Sequence, residues 1–194
     1  MARQHNKNYL VILTKRLILR DFNEEDWKSV HEYASDPEVV RYVEFGPNKE
    51  EESKSFIHRA LVHRKEKPRK DFTLAIVLKA TNTLIGGCGI YLISPDNQEG
   101  SIGYVLNRNF WGQGYATETA QALLEFGFNQ LKLHRIFATC DPKNTASARV
   151  LEKIGMRREA YFREHKWIKG KWRDSLLYAI LEHEWANLKH SKIK

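Results

Sequence analysis

Residues 104–128 read YVLNRNFWGQGYATETAQALLEFGF, and their hydrophobic period changes in the middle. The run SIGYVLN is β-rich and apolar. From about Tyr115 to Gln130 the spacing predicts a helix, with Ala116, Ala120, Leu123, Leu124, Gly127 and Phe128 on one face. Gly112 and Gly114 sit at the join, and no acidic residue stands between Gly100 and Glu118. A helix N-terminus presents unpaired N–H groups and a partial positive charge. Glycines let the backbone come close to a ligand. Gly112, Gln113, Gly114, Tyr115, Ala116 and Thr117 therefore form a candidate cradle for a diphosphate, which a carboxylate there would repel. Read alone, G-x-G after a strand fits a plain tight turn equally well. The dinucleotide fingerprint fails because Thr117 takes the third glycine's place, and a P-loop fails for want of Gly-Lys-Ser/Thr.

The rest of the chain supplies the frame for this corner. RLILRDF (16–22) alternates as a half-buried strand does. Asn23, with Asp26 three residues on, caps a helix in which Trp27, Val30, His31 and Ala34 share a face. Pro47-Asn48 opens a second helix with acids in its first turn and bases in its last. Two β-rich runs flank KATNT as a hairpin, SPDNQEG is a turn, and SIGYVLN follows. After the corner helix, LHRIFATCD reads as a buried strand and PKNTASARVLEKIG as a short helix ending at Gly155. MRREAYFREHKWI and WRDSLLYAILEHEW close the chain as a hairpin with a polar tail, and Tyr178 and Trp185 read as core. The order βαα-βββ-α-β-α-ββ implies a mixed sheet of seven strands with helices on its faces. At 194 residues the expectation is a single domain over 1–194, with a core of about 14–185 and a basic tail at 186–194.

Composition narrows the class. The chain is 42% hydrophobic and 29% charged, as globular chains are, and its apolar stretches are far short of a membrane span. The N-terminal MARQHNKNYLVILTKRLILRD has an apolar patch broken by Lys15 and Arg16 and no cleavage site, so it makes a poor signal peptide. Cys88 and Cys140 lie inside strand-like runs and need not pair, which implies a reducing cytoplasm and a packing role. The net charge is +8, with bases concentrated in His58–Lys70. Such a patch attracts the phosphates of RNA or of an anionic cofactor, and it equally describes a solvated helix end. His134 reads as structural, since no Cys, His or acid stands nearby at metal-ligand spacing, and no metal is expected.

A second motif lies in CDPKNTASARVLEKIGM (140–156). Asn144 stands at a helix start and Ser147 three residues on, so both can face one side. Asn144 is also a plain helix cap. Together with TKRLILRDFNEEDW, DPEVVRYV, IGYVLN, WGQGYATE, NTASARVLEKIGM and WRDSLLYAILEHEW, this makes the chain resemble the GNAT-superfamily N-acetyltransferases. It is most similar to the Rim-type branch, whose named members acetylate N-termini of ribosomal proteins. The resemblance implies an α/β GNAT fold, with a mixed, mostly antiparallel seven-stranded twisted sheet splayed at its fourth and fifth strands. It implies acetyl-CoA in the splay, the backbone of Tyr104, Val105 and Leu106 on the pantetheine, and the corner Gly112–Thr117 on the pyrophosphate. Asn144 would touch the pantetheine or phosphate end, and Ser147 would protonate the departing thiolate. The backbone N–H of Leu106 would stabilise the oxyanion.

The chain departs from its relatives at the base. Arg108 stands where a Rim-type relative has a glutamate, Ser101 where many have Glu before IGY, and Asn109 where the loop usually starts with Gln or Arg. Glu99 and Glu44 remain as candidate bases, each also readable as a solvated surface acid. An α-amine has a pKa of about 7.7–8.0 against about 10.4 for lysine, so an N-terminal acceptor needs no strong base. Trp167 and Trp172 at a hairpin tip are candidates for the substrate mouth, with Glu44, or for packing on the sheet or a dimer contact. The expected activity is direct attack of a primary amine, a protein N-terminus first, on acetyl-CoA. The alternatives are a polyamine or aminoglycoside acceptor, or a non-catalytic CoA-binding module. The expected partners are acetyl-CoA, the amine and, through His58–Lys70, a ribosome or RNA, in a monomer or homodimer.

Overall fold

The computed structural model describes residues 9–191, and side chains through Lys189. Strands β1 (Val11–Leu13) and β2 (Leu17–Asp21) lead into a 3-10 turn (Glu24–Asp26), α1 (Trp27–Ala34) and α2 (Glu50–His63). Then come β3 (Asp71–Leu78), β4 (Thr83–Ser94), β5 (Glu99–Leu106), a 3-10 turn (Arg108–Phe110) and α3 (Tyr115–Asn129). Strand β6 (Arg135–Cys140), α4 (Thr145–Lys153), β7 (Arg157–Ile168), β8 (Lys171–Leu181) and α5 (Glu182–Ser191) complete the order. The strands form one sheet in the order β1-β2-β3-β4-β5-β6-β8-β7. Its pairs are antiparallel except β5–β6.

Two differences from the sequence reading have physical causes. The sheet has eight strands, not seven, because Val11–Leu13 pair with Ile18–Arg20 of β2. Three residues with an exposed face carry no period of their own, so only the partner reveals this strand. At the other end β8 stops at Leu181, and residues 182–191 form α5 rather than more strand and a tail. Trp185 packs from α5 on Phe128, ring centroids 5.2 Å apart. Residues 1–8 of the N-terminal stretch and 192–194 of the tail lie outside the described residues.

The sheet separates two apolar layers. On one face Leu74, Ile76, Cys88, Ile90, Ile102 and Leu106 pack with α3 and α4, through Leu123, Leu124, Phe128 and Leu151. On the other, Ala75 and Val77 pack with Phe22, Val30, Tyr33 and Ala34 of the α1 layer and Ile57 of α2. The period-2 alternation of β3 and β4 sorts side chains between these layers. The helix face read from the sequence is the buried one: Ala120, Leu123, Leu124 and Phe128 are at most 2% exposed. At Gly127 the helix lies so close to the sheet that a Cβ would stand 2.6 Å from Ile136 and 2.7 Å from Ile90.

Candidate functional site

The site begins as a defect in the sheet. Strand β5 pairs with β4 from Glu99 to Leu106. It pairs with β6 only from Glu99 to Ser101, against Arg135 to Phe137. Beyond that point β5 and β6 diverge, which is the splay expected from the sequence, here between the fifth and sixth of eight strands. The Asn107 N–H donates to Ile85 O of β4. Backbone groups alternate sides along a strand, so the N–H groups of Leu106 and Tyr104 face the open edge. The Leu106 carbonyl on that edge accepts from Trp111 Nε1 at 2.8 Å, which ties the glycine corner to the end of the splay. A cleft of about 970 Å³ opens there, lined among others by Gly103, Tyr104, Val105, Ala138–Cys140, Asn144 and Ser147.

The corner has the backbone that the sequence called for. Gly112 and Gly114 lie at φ +73° and +81°, a region that L side chains rarely adopt. Gly114 is the N-cap of α3. The amides of Gly112 through Thr117 make no hydrogen bond among the described residues. Sequence reasoning missed the group that braces them, Arg16, because its partners lie some hundred positions away. Its Nη1 donates to Gln113 O at 2.9 Å, its guanidinium stacks over Tyr115 at 4.3 Å, and its Nε meets Glu118 at 2.7 Å. Burial pulls the Glu118 carboxyl up. Hydrogen bonds from Thr14 and from the backbone and side chain of Arg16 outweigh that and hold it below the usual carboxylate range.

Across the splay, Tyr104 of β5 reaches α4. Its hydroxyl oxygen lies 3.2 Å from Ser147 Oγ. Asn144 does cap α4, its Oδ1 accepting from the Ser147 N–H at 3.1 Å, so the cap also orients the serine. Burial pushes the Tyr104 phenol up to about 12, against a downward pull from the Ser147 bond, so it stays protonated at neutral pH. Cys88 and Cys140 are buried free thiols lining the same cleft. Burial raises both, Cys140 to about 11, so neither is a thiolate nucleophile.

Leu106 and the corner Gly112–Thr117 lie at the end of the splay, outside the residues that line the cleft, and three further sequence-predicted residues fall elsewhere. Glu99 sits at the closed end of β5, where it binds Arg135 at 2.7 Å, and does not line the cleft. Proximity along the chain suggested it, and strand direction carries it away. Trp167 does not line the cleft either; its neighbours Lys166 and Ile168 do, because the strand alternates. Trp167 stacks edge-on against Trp172, centroids 5.5 Å apart, and Trp172 borders a separate depression of about 310 Å³. Glu44 does line the cleft, bonded to Lys166. Arg108 pairs with Asp36 at 3.1 Å. Within His58–Lys70, Arg69 is committed to the buried Asp21 at 2.6 Å and His63 to Asp71 at 2.9 Å.

The hairpin of β7 and β8 roofs the cleft. Lys166 meets Glu44, Lys169 Nζ donates to Val40 O at 2.6 Å, and Arg173 Nη1 to Arg41 O at 2.8 Å. The lining carries carboxylates at Glu44, Glu51, Glu52, Asp141 and Asp174 against cations at Arg59, Lys166 and Arg173. In a chain of net charge +8 this is a local reversal of sign.

This arrangement defines an acyl-transfer cleft, and comparison with known proteins agrees. Residues 16–157 match the acetyltransferase (GNAT) domain. An uncharacterised N-acetyltransferase of Bacillus subtilis (strain 168), YnaD, is 42% identical over 174 residues, covering 90% of this chain and 98% of its own. The crystal structure of a GNAT-family acetyltransferase from Bacillus anthracis superposes with a TM-score of 0.80 at 40% identity, over 90% of this chain and 99% of that one. The chain belongs to the GNAT acetyltransferase family and is an acetyl-CoA-dependent N-acetyltransferase. Two remoter structures share the fold. One is RimL, a ribosomal L7/L12 α-N-protein acetyltransferase with coenzyme A (21% identity, TM-score 0.78, 89% and 98% coverage). The other is a Vibrio cholerae spermidine N-acetyltransferase with CoA and spermine (19%, 0.76, 89% and 99%). The residues present fit acetyl-CoA: an unpaired strand edge suits the amides of pantetheine, and unbonded amides at a helix N-terminus suit its diphosphate.

Proposed function

We propose that the acceptor is a protein N-terminal α-amine, acetylated by direct attack. Acetyl-CoA supplies an activated acetyl group, and the chain positions it and moves protons. The Leu106 N–H faces the opened edge and is the donor for the carbonyl oxygen. The Ser147 hydroxyl gives a proton to the departing sulfur and recovers one through Tyr104. Asn144 holds Ser147 in place.

The observation that carries the α-amine is the engagement of both candidate bases, Glu99 and Glu44. Glu99 is bound to Arg135, Asp141 to Arg173, and Glu44 to Lys166. An α-amine at about pKa 8 is partly neutral at neutral pH and needs only water to take its proton. The test is thiol release from acetyl-CoA with free-N-terminus peptides, N-blocked lysine peptides, polyamines and aminoglycosides. Release with the first group alone is the expected result.

A polyamine is the second reading, and the excess of carboxylates in the cleft lining favours it. Glu51 in that lining has no partner among the described residues. Release with spermidine alone decides for it.

A further inference from the structure

The run Gly86-Gly87-Cys88-Gly89 in β4 has a use that cofactor binding does not explain. Cys88 and its cross-strand neighbour Tyr104 belong to the α3–α4 face, where Ser147 lies. Gly87 and Gly89 alternate to the α1–α2 face, opposite Val105 and Gly103. Gly87, Gly89 and Gly103 thus leave a strip of sheet without side chains, next to the open edge of β5. Two tyrosines stand over it. A Cβ on Gly87 would lie 3.0 Å from Tyr33 Oη, and one on Gly89 would lie 2.4 Å from Tyr91 Oη. At Gly103 a Cβ would meet nothing within 4 Å, so the strip is open there. Tyr33, Tyr91, Gly87 and Gly103 all line the cleft.

Tyr33 is the telling member. It is 2% exposed overall, and its hydroxyl, which has no hydrogen-bond partner among the described residues, is the part that meets the cleft. A phenol so placed at the wall of a cleft is completed by what enters the cleft. Burial raises its pKa, so it stays neutral and is neither a base nor a competing nucleophile.

We propose that Gly103, the open end of the glycine strip, seats the carbon that bears the acceptor amine, and that Tyr33 Oη accepts a hydrogen bond from that amine's N–H. The inference rests on a primary amine being the acceptor. The amine enters from the α1–α2 face with its lone pair directed through the splay, while the hydroxyls of Tyr104 and Ser147 serve the sulfur from the other face. Tyr33 is a positioning residue, and Gly103 limits the branching that the acceptor can carry next to its nitrogen.

The experiment is acceptor kinetics on Tyr33→Phe and Gly103→Ala, with peptides starting in Gly, Ala and Val and with spermidine. Neither change crowds the folded chain. Both variants are expected to keep the parent's melting temperature and its acetyl-CoA affinity by calorimetry. Tyr33→Phe is expected to lower kcat/KM about 10-fold or more, mainly through KM, as loss of a buried hydrogen bond does. Gly103→Ala is expected to raise KM more for a branched acceptor than for an unbranched one. If the parent turns over an acceptor and both variants match its KM, the strip is not the seat and the proposal is overturned. If the parent releases thiol with no amine, the acceptor reading itself fails, and the seat with it.

Discussion

The hydroxyls of Tyr104 and Ser147 meet across the splay with 3.2 Å between their oxygens, one carried by β5 and the other by α4. Ser147→Ala is expected to lower kcat by about 100-fold, the low end of general acid catalysis, with acetyl-CoA affinity nearly unchanged. Tyr104→Phe keeps the ring and is expected to give a smaller loss of the same kind. Single-turnover thiol release checks both. Equal rates in Ser147→Ala and the parent would remove the serine from the chemistry.

Gly114 at φ +81° adopts its conformation at little cost only as glycine. Gly114→Ala is expected to cost roughly 1–2 kcal/mol of stability from the left-handed backbone and to weaken acetyl-CoA binding moderately. Gly114→Glu adds a negative charge to the corner and is expected to abolish binding while still folding. Calorimetric titration of both variants separates strain from repulsion. Unchanged affinity in Gly114→Glu would mean that the diphosphate lies elsewhere.

The ionised form of Glu118 is the one the fold prefers, since its pKa is depressed in the folded state. Its contribution is therefore complete above the unfolded value, about 4.3, and fades as pH falls through the folded one. Glu118→Gln is expected to lower the melting temperature at pH 7 and to flatten its fall below about pH 5. Melting curves from pH 7 to 3 read this directly. Parallel curves for parent and variant would discard it.

Asp21 is 1% exposed, accepts from the Leu10 N–H at 2.7 Å, and is matched by Arg69. Arg69→Met leaves a buried carboxylate without its cation. The expected loss is roughly 3–5 kcal/mol, with kcat of the folded fraction unchanged. Urea titration measures it. A loss below about 1 kcal/mol would show that water replaces the guanidinium.

What the sequence made legible was local. The positive-φ glycines of the corner and the Asn144 cap on Ser147 are set by neighbours in the chain, so this local geometry could be read in order. Glu99 failed because strand direction, not chain distance, decides which end of β5 meets the splay. Trp167 failed because register gives its neighbours Lys166 and Ile168 to the cleft. Arg16 and β1 were invisible because their meaning lies in remote partners, Glu118 and β2. The glycines of β4 lie in the β-rich run after KATNT and carry no signal of their own, since the tyrosines that cover them are brought there by the fold.

The opening between β5 and β6 arises from pairing that stops at Ser101 and Phe137, not from any one side chain. Main-chain atoms thus form the unpaired edge that suits the pantetheine amides, while side chains of α1, α2 and the β7–β8 hairpin line much of the rest of the cleft. A lineage built on this plan inherits the donor half of its reaction with the topology. It can then redraw the acceptor half by a few point substitutions, without having to rediscover how to fold.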